Sequence, residues 1–266
     1  MKELNHLKKN EENPRLIVEH YFNEIISDIK AMQKGTGEES VHAFRVEVKK
    51  LRVFLRVMRV NANKPDKLKF PGKFKKMYSL TGRIRDRQLH MKRLNESNCI
   101  KEANRLKKEI KKLAGNKRIF LNKQQIKKID KKMQKVLPLK MDPAFFTAFL
   151  YDRFDAIRKI IDKGSYSDKE LHEIRKNIKD VIYINRIIRE KLRINLVDYQ
   201  DEKLQVKLEA LAHLLGLFND ANISLGFLHV SGMKENNRLY SECLADKRQL
   251  KENILAEIKD TRWNFD

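Results

Sequence analysis

Two histidine-led basic stretches have the residue types and spacing of an anion-binding surface. The first reads His42-Ala-Phe-Arg45-Val-Glu-Val-Lys49 and the second His172-Glu-Ile-Arg175-Lys-Asn-Ile-Lys179, with the histidines 130 residues apart. Residues three and four apart share one face of a helix. Arginine offers a planar fork that grips phosphate oxygens in pairs, lysine a mobile point charge, and histidine ring N–H donors. In the first copy the pattern runs on: His42, Arg45, Lys49, Arg52, Arg56 and Arg59 recur one position after Val41, Phe44, Val48, Leu51, Leu55 and Met58. The apolar set predicts a buried stripe, and the basic set an adjacent stripe about 100° round the helix. From Arg45 to Arg59 it extends ~21 Å at ~1.5 Å per residue, enough to follow several phosphates. Glu47 is the only acid between Arg45 and Arg59. Like charges at these spacings cost an isolated helix a few tenths of a kcal/mol per pair, a repulsion that an anion relieves. The competing reading is a solvated basic face.

The second copy keeps His172, Arg175 and Lys179, but Asp180 and Ile182 stand where the first has Lys50 and Arg52. Lys176 and Arg186 are partial substitutes. Binding is therefore expected to be stronger in the first half. Each copy is followed by a second echo, Leu80-Thr-Gly82-Arg83-Ile-Arg85-Asp86 and then Leu214-Leu-Gly216-Leu-Phe-Asn219-Asp220. Asn13-Pro14 and Asp142-Pro143 form a third. Echoes in the same order point to a duplicated unit. Arg83, Arg85 and Arg87 form a further basic cluster. Asp86 and Asp220 are read as groups that orient arginines or cap a helix, not as catalysts. An anion beside His42 or His172 favours the protonated ring and raises its pKa. A histidine tying helix ends together by a hydrogen bond is the alternative.

These side chains require helices to position them. About eight are expected, four in each half. The first runs from Pro14, with Asn13 as cap, to about Met32. A second, capped by Ser40, runs to about Val60, and Asn61 to Pro71 is a turn. A third runs from about Phe70 to Leu94 with a kink near Gly82. A basic segment from Asn98 to Val136 breaks at Gly115. The second half is expected to be helical over 143–162, 168–194, 199–230 and 234–262. Apolar residues recur with helical periodicity throughout, with no convincing strand pattern. Short loops make successive helices antiparallel neighbours.

Composition narrows the function. The 266 residues carry 59 Lys+Arg against 36 Asp+Glu, a net charge of +23. Residues 1–100 hold 23 basic and 12 acidic side chains and 101–140 hold 15 and 3, whereas 141–266 hold 21 of each. Such a field attracts nucleic acid, anionic membrane or polyphosphate. The lysine run from Lys101 to Lys135 is read as a solvated helical face. Cys99 and Cys243 give neither a metal spacing nor a disulfide framework. No stretch reaches the roughly 18 apolar residues of a membrane-spanning helix. A soluble, cytoplasmic protein with no cofactor or metal is expected.

The doubled motifs resemble those of the CHAD family, whose hallmark is a pair of His-x-x-Arg-x-x-x-Lys/Arg helices, each followed by a Leu-Gly-x-x-x-Asp element. The matching residues are His42, Arg45, Lys49 and Arg52 with Gly82 and Asp86, then His172, Arg175 and Lys179 with Gly216 and Asp220. Thr81, beside Gly82, departs from the pattern. The resemblance covers about residues 14 to 262. It implies a single all-α domain over 1–266, built from repeats at about 14–137 and 143–262. It implies two four-helix bundles related by pseudo-twofold symmetry, with a basic central groove or pore. It further implies association with inorganic polyphosphate and polyphosphate granules.

The expected function is non-catalytic polyphosphate binding. The expected contacts are His42, Arg45, Lys49, Lys50, Arg52, Arg56, Arg83, Arg85, His172, Arg175, Lys176 and Lys179. The alternative is an RNA- or DNA-binding protein, with nucleic acid as the competing polyanion. Against it, aromatics are only 8% of the chain and none lies in a basic stripe arranged for base stacking. A phosphohydrolase ranks lower. The chain has no phosphate loop of the Gly-x-x-x-x-Gly-Lys-Ser/Thr kind, no Gly-x-Ser-x-Gly turn and no His-Glu-x-x-His pair.

Overall fold

A computed structural model describes residues 13–35, 37–60, 62–116, 120–192, 201–233, 237–261 and 263. Among these are nine α-helices and no strand: α1 (Pro14–Lys34), α2 (Glu38–Arg59), α3 (Gly72–Glu96), α4 (Ile100–Ala114), α5 (Lys123–Gln134), α6 (Pro143–Ile161), α7 (Asp168–Ile187), α8 (Glu202–Val230) and α9 (Arg238–Asp260). A 3-10 turn (Pro65–Leu68) lies within the expected turn before α3, and a π-helical turn (Ile188–Leu192) follows α7. The extra helix comes from the basic segment, which forms both α4 and α5. The expected ends near residues 194, 199 and 234 fall outside the described residues.

Local chemistry explains most boundaries. Asn13 accepts a hydrogen bond from the Arg15 amide, and Asp142 accepts one from Ala144, each followed by proline at the first helical position. Proline costs nothing there, because its missing N–H would have had no partner in the helix. Ser40 does not cap α2. The helix starts at Glu38 with Gly37 at the cap position, and the Ser40 hydroxyl donates back to the Gly35 and Gly37 carbonyls. The glutamates at 38 and 39 suit the positive end of the helix dipole and extend it backwards. α3 starts at Gly72 instead of Phe70, and it runs as one helix through Gly82. Gly164 and Gly232, just past α6 and α8, hold φ of 74° and 78°, the left-handed conformation in which glycine pays no Cβ penalty.

The chain divides into two compact units that are not its two halves. Unit 1 takes the described residues within Met1–Gln88, Arg105–Ala148 and Arg186–Ile194, and unit 2 those within Leu89–Asn104, Phe149–Asn185 and Asn195–Asp266. In unit 1, α1 packs on α2 and α5. The predicted stripe of α2 is fully buried at Val41, Phe44, Val48 and Leu51 and nearly so at Leu55 and Met58. Val53, Phe54 and Val57 are buried as well, so the second half of α2 is enclosed over more of its surface than one stripe. In unit 2, α8 packs on α9. The buried face of α7 holds Leu171, Ile174, Ile178 and Val181, the positions matching Val41, Phe44, Val48 and Leu51. The same apolar register thus fixes the rotation of both histidine-led helices.

Candidate anion-binding site

Fixing that rotation puts the basic stripe of α2 beside α3, where the two sequence echoes meet. Arg45 Nη1 donates to the Tyr78 carbonyl at 3.0 Å, and its guanidinium lies 4.6 Å from the centre of the Tyr78 ring. A Cβ built on Gly82 would sit 2.7 Å from Arg45 Nη1. The glycine is therefore where the arginine crosses the neighbouring helix. In unit 2 the matching pair recurs: a Cβ on Gly216 would lie 3.6 Å from Arg175 Nη2. The histidine-led motif and the glycine motif are the two halves of one arginine crossing, made twice.

The crossing predicts unequal tolerance to alanine. Gly82→Ala is expected to push the Arg45 guanidinium off the Tyr78 carbonyl and weaken anion binding. It should not lower the melting temperature, because alanine is the better helix former by about 1 kcal/mol. Gly216→Ala, with ordinary contact distances, is expected to leave binding unchanged. Paired titrations and melting curves of the two variants check this. Equal binding by Gly82→Ala and the parent would refute it.

Arg52 also lies over the Tyr78 ring, 5.4 Å from its centre. Below it, a cleft of about 450 Å³ opens within unit 1. Arg52, Arg56, Arg59, Lys69 and Lys75 supply its cations. Its remaining wall is Val48, Leu55, Leu68, Phe70, Phe74 and Tyr78, with no acid among the lining residues. Lys69 is paired with the exposed Asp66 outside that lining. Arg59 Nε is buried and meets no hydrogen-bond acceptor among the described residues. Leaving such a donor unsatisfied costs about 1–3 kcal/mol, which a bound anion recovers.

At the other end of the stripe, His42 is exposed beside Arg85, Lys49 and Arg45. Partial desolvation of the ring against the helix surface, then these three cations in that order, hold its pKa below the ordinary histidine value, while Glu38 opposes them. Arg85 is held by Glu38 at 2.7 Å. Arg83 is exposed on α3, and Asp86 is part-buried and has a partner. Lys50 is placed elsewhere. It pairs with Glu47 at 2.7 Å, next to Asp28, whose carboxyl burial and the charges of Glu47 and Glu24 push up to about 6.

Unit 2 shows the same logic with less charge. His172 is exposed, Arg175 is half-buried, and Lys179 sits 5.8 Å from the centre of the Tyr183 ring. Lys176 is held by Glu173 at 2.9 Å. Asp180 does not intrude on the basic face: it is buried, with its carboxylate 3.9 Å from Arg153. The inward position that carries Lys50 in the first copy carries Asp180 in the second, and each is met by an opposite charge. Ile182 is buried and contributes no cation. Asp220 is part-buried on α8 and also has a partner.

Sequence reasoning missed Tyr78, Lys69 and Lys75. Tyr78 carries no motif signal. Lys69 follows the 3-10 turn and Lys75 lies in the first turn of α3, and only the return of the chain through residues 65–75 brings them into the cleft with Arg52, Arg56 and Arg59. A helix-by-helix search for basic residues one turn from an aromatic on the next helix would have found Tyr78.

The fold and site together define an all-helical protein with two arginine-crossed, histidine-led helices. The CHAD domain profile matches residues 17–229, and the chain belongs to that family. The crystal structure of the CHAD domain from the plant Ricinus communis is similar, with a TM-score of 0.68 at 15% sequence identity, covering 93% of this chain and 91% of that one. No curated protein matches the sequence. No helix among the described residues is long and apolar enough to cross a membrane.

Proposed function

We propose that this protein binds inorganic polyphosphate without turning it over, and that the binding serves attachment to polyphosphate granules in the cytoplasm. The observation that carries the reading is the five-cation cleft with no acid in its lining, continuous along α2 with the Arg45 end of the stripe. Cations this close together repel one another, and a polyanion that binds them relieves that repulsion and releases its own condensed counterions. Polyphosphate is favoured over nucleic acid because the Tyr78 ring is already covered by Arg45 and Arg52, which leaves that face unavailable to a base. The test is titration with long-chain polyphosphate, RNA and DNA at equal phosphate concentration across a salt series, with orthophosphate release followed in parallel. Preferential polyphosphate binding with no release is the expected result. Equal binding of all three reduces the site to generic charge attraction, and release of orthophosphate overturns the non-catalytic part.

His42 gives the reading a pH signature. In the free protein its pKa lies below the ordinary 6.5, and bound phosphate raises it. Binding then takes up a proton between the lowered free value and the raised bound value. Affinity is expected to rise as pH falls through that window and to be flat above it, where the ring is neutral in both states. The limit is about tenfold per unit of difference. Titrations of long chains, in which chain ends contribute little, should lose this component in His42→Gln. A pH profile identical in parent and variant would remove His42 from the site.

A further inference from the structure

The Tyr78 side chain is half-buried on α3, and two cations of the stripe converge on it. Arg45 and Arg52 lie about two turns apart on α2, ~10.5 Å along the axis at ~1.5 Å per residue. Both guanidiniums nevertheless reach the same ring, 4.6 Å and 5.4 Å from its centre. Like charges repel, so their convergence needs an attractor, and the negative face of the aromatic ring supplies it. Arg45 is held a second time, by the Tyr78 carbonyl at 3.0 Å. The same carbonyl accepts the hydroxyl of the buried Thr81 at 2.9 Å, which ties it to the helix. Arg52 is exposed, and among the described residues the Tyr78 ring is the group that holds it. A free arginine side chain samples many rotamers, and a ligand that must order it loses affinity to that entropy. Here the ordering is already present in the unliganded protein.

We propose that Tyr78 is the positioning residue that gives the basic stripe its selectivity: it gathers Arg45 and Arg52 before a ligand arrives and so favours a chain of closely spaced phosphates. Tyr78 acts through the two arginines and does not itself touch the phosphate. In an inorganic chain successive phosphorus atoms share one oxygen, whereas in nucleic acid a sugar stands between them. Two planar forks gathered on one ring therefore meet more phosphate oxygens on the inorganic chain. This role rests on the polyphosphate reading and names the residue that decides its selectivity.

The test compares Tyr78→Leu and Tyr78→Phe with the parent protein, each titrated with long-chain polyphosphate and with RNA across a salt series. Tyr78→Leu keeps every cation, so the salt slope is expected to stay unchanged. Its polyphosphate affinity is expected to fall by about tenfold, because two arginines must then be ordered on binding. RNA, captured by counterion release on any basic surface of the chain, should change by less than about twofold. Tyr78→Phe keeps the ring and should bind like the parent. A second readout needs no ligand: the mobility of arginine Nε–H groups in the free protein, measured by NMR relaxation. Arg45 and Arg52 are expected to be more ordered than Arg83, which is exposed on α3. Tyr78→Leu should release Arg52 more than Arg45, which keeps its carbonyl. Should Tyr78→Leu fail to fold, the relaxation comparison on the parent protein decides. The proposal is overturned if Arg52 is as mobile as Arg83 in the parent, or if Tyr78→Phe loses as much affinity as Tyr78→Leu. It is also overturned if RNA affinity falls in the same proportion as polyphosphate affinity. A parent protein with no preference for polyphosphate removes the polyphosphate reading and this role with it, whereas undiminished polyphosphate binding by Tyr78→Leu removes this role alone.

Discussion

The variant with Arg52→Ala, Arg56→Ala and Arg59→Ala is expected to lose polyphosphate affinity by about 100-fold or more at low salt. Three guanidinium contacts, each contributing on the order of 1 kcal/mol after screening, multiply to that factor. The salt slope should also become shallower by about two to three, since each neutralised phosphate contributes roughly 0.7–0.9. Stability should change little. Removing like charges at i, i+3 and i, i+4 relieves a few tenths of a kcal/mol per pair, while loss of the Arg52 contact with Tyr78 costs about 0.5–1 kcal/mol. Lys50→Ala provides the contrast. Its side chain is held by Glu47 beside Asp28, so its loss should change binding less than about twofold. A triple variant that binds like the parent protein across the salt series would remove the cleft from the function.

Phe44→Ala is expected to give the largest loss of stability. Phe44 is fully buried on the apolar stripe of α2, and its ring centre lies 6.5 Å from that of Phe74. Truncating such a ring removes transfer free energy and leaves a cavity, together about 3–5 kcal/mol. Against a total stability of about 5–15 kcal/mol this is a substantial fraction. The melting midpoint should fall by roughly 10 °C. Because Phe74 also walls the cleft, binding should weaken in the same variant. Excess polyphosphate should restore part of the loss, by about 2.7 kcal/mol at 100 times Kd. An unchanged midpoint would mean that the α2–α3 contact is not where the stability of unit 1 resides.

The interruption of the helices was legible for plain reasons. Asn13-Pro14 and Asp142-Pro143 act through hydrogen bonds from the amide two residues on, so their sequence alone suffices. Ser40 misled because Gly37 competes for the same role and the acids at 38 and 39 add a dipole term that favours the earlier start. The division between units was not legible. α3, α4, α6 and α7 each pass from one unit to the other, at Gln88, Asn104, Ala148 and Asn185, and nothing in a helix's own periodicity marks where its neighbours change.

The sequence by itself determined the helical class, the doubled motif, the buried stripe of α2 and the basic stripe beside it. All of these follow from periodicity and local capping, which act over a few residues. Tertiary structure alone decided which cations share a site. Lys50 went to the acids Glu47 and Asp28, Arg85 to Glu38 and Lys176 to Glu173, while Lys69, Lys75 and Tyr78 came to face Arg52, Arg56 and Arg59. It also decided that Gly82 makes room for Arg45. The reason is that a charge is neutralised, and a Cβ excluded, by whatever lies within about 4 Å, and chain folding brings that neighbour from any distance along the sequence.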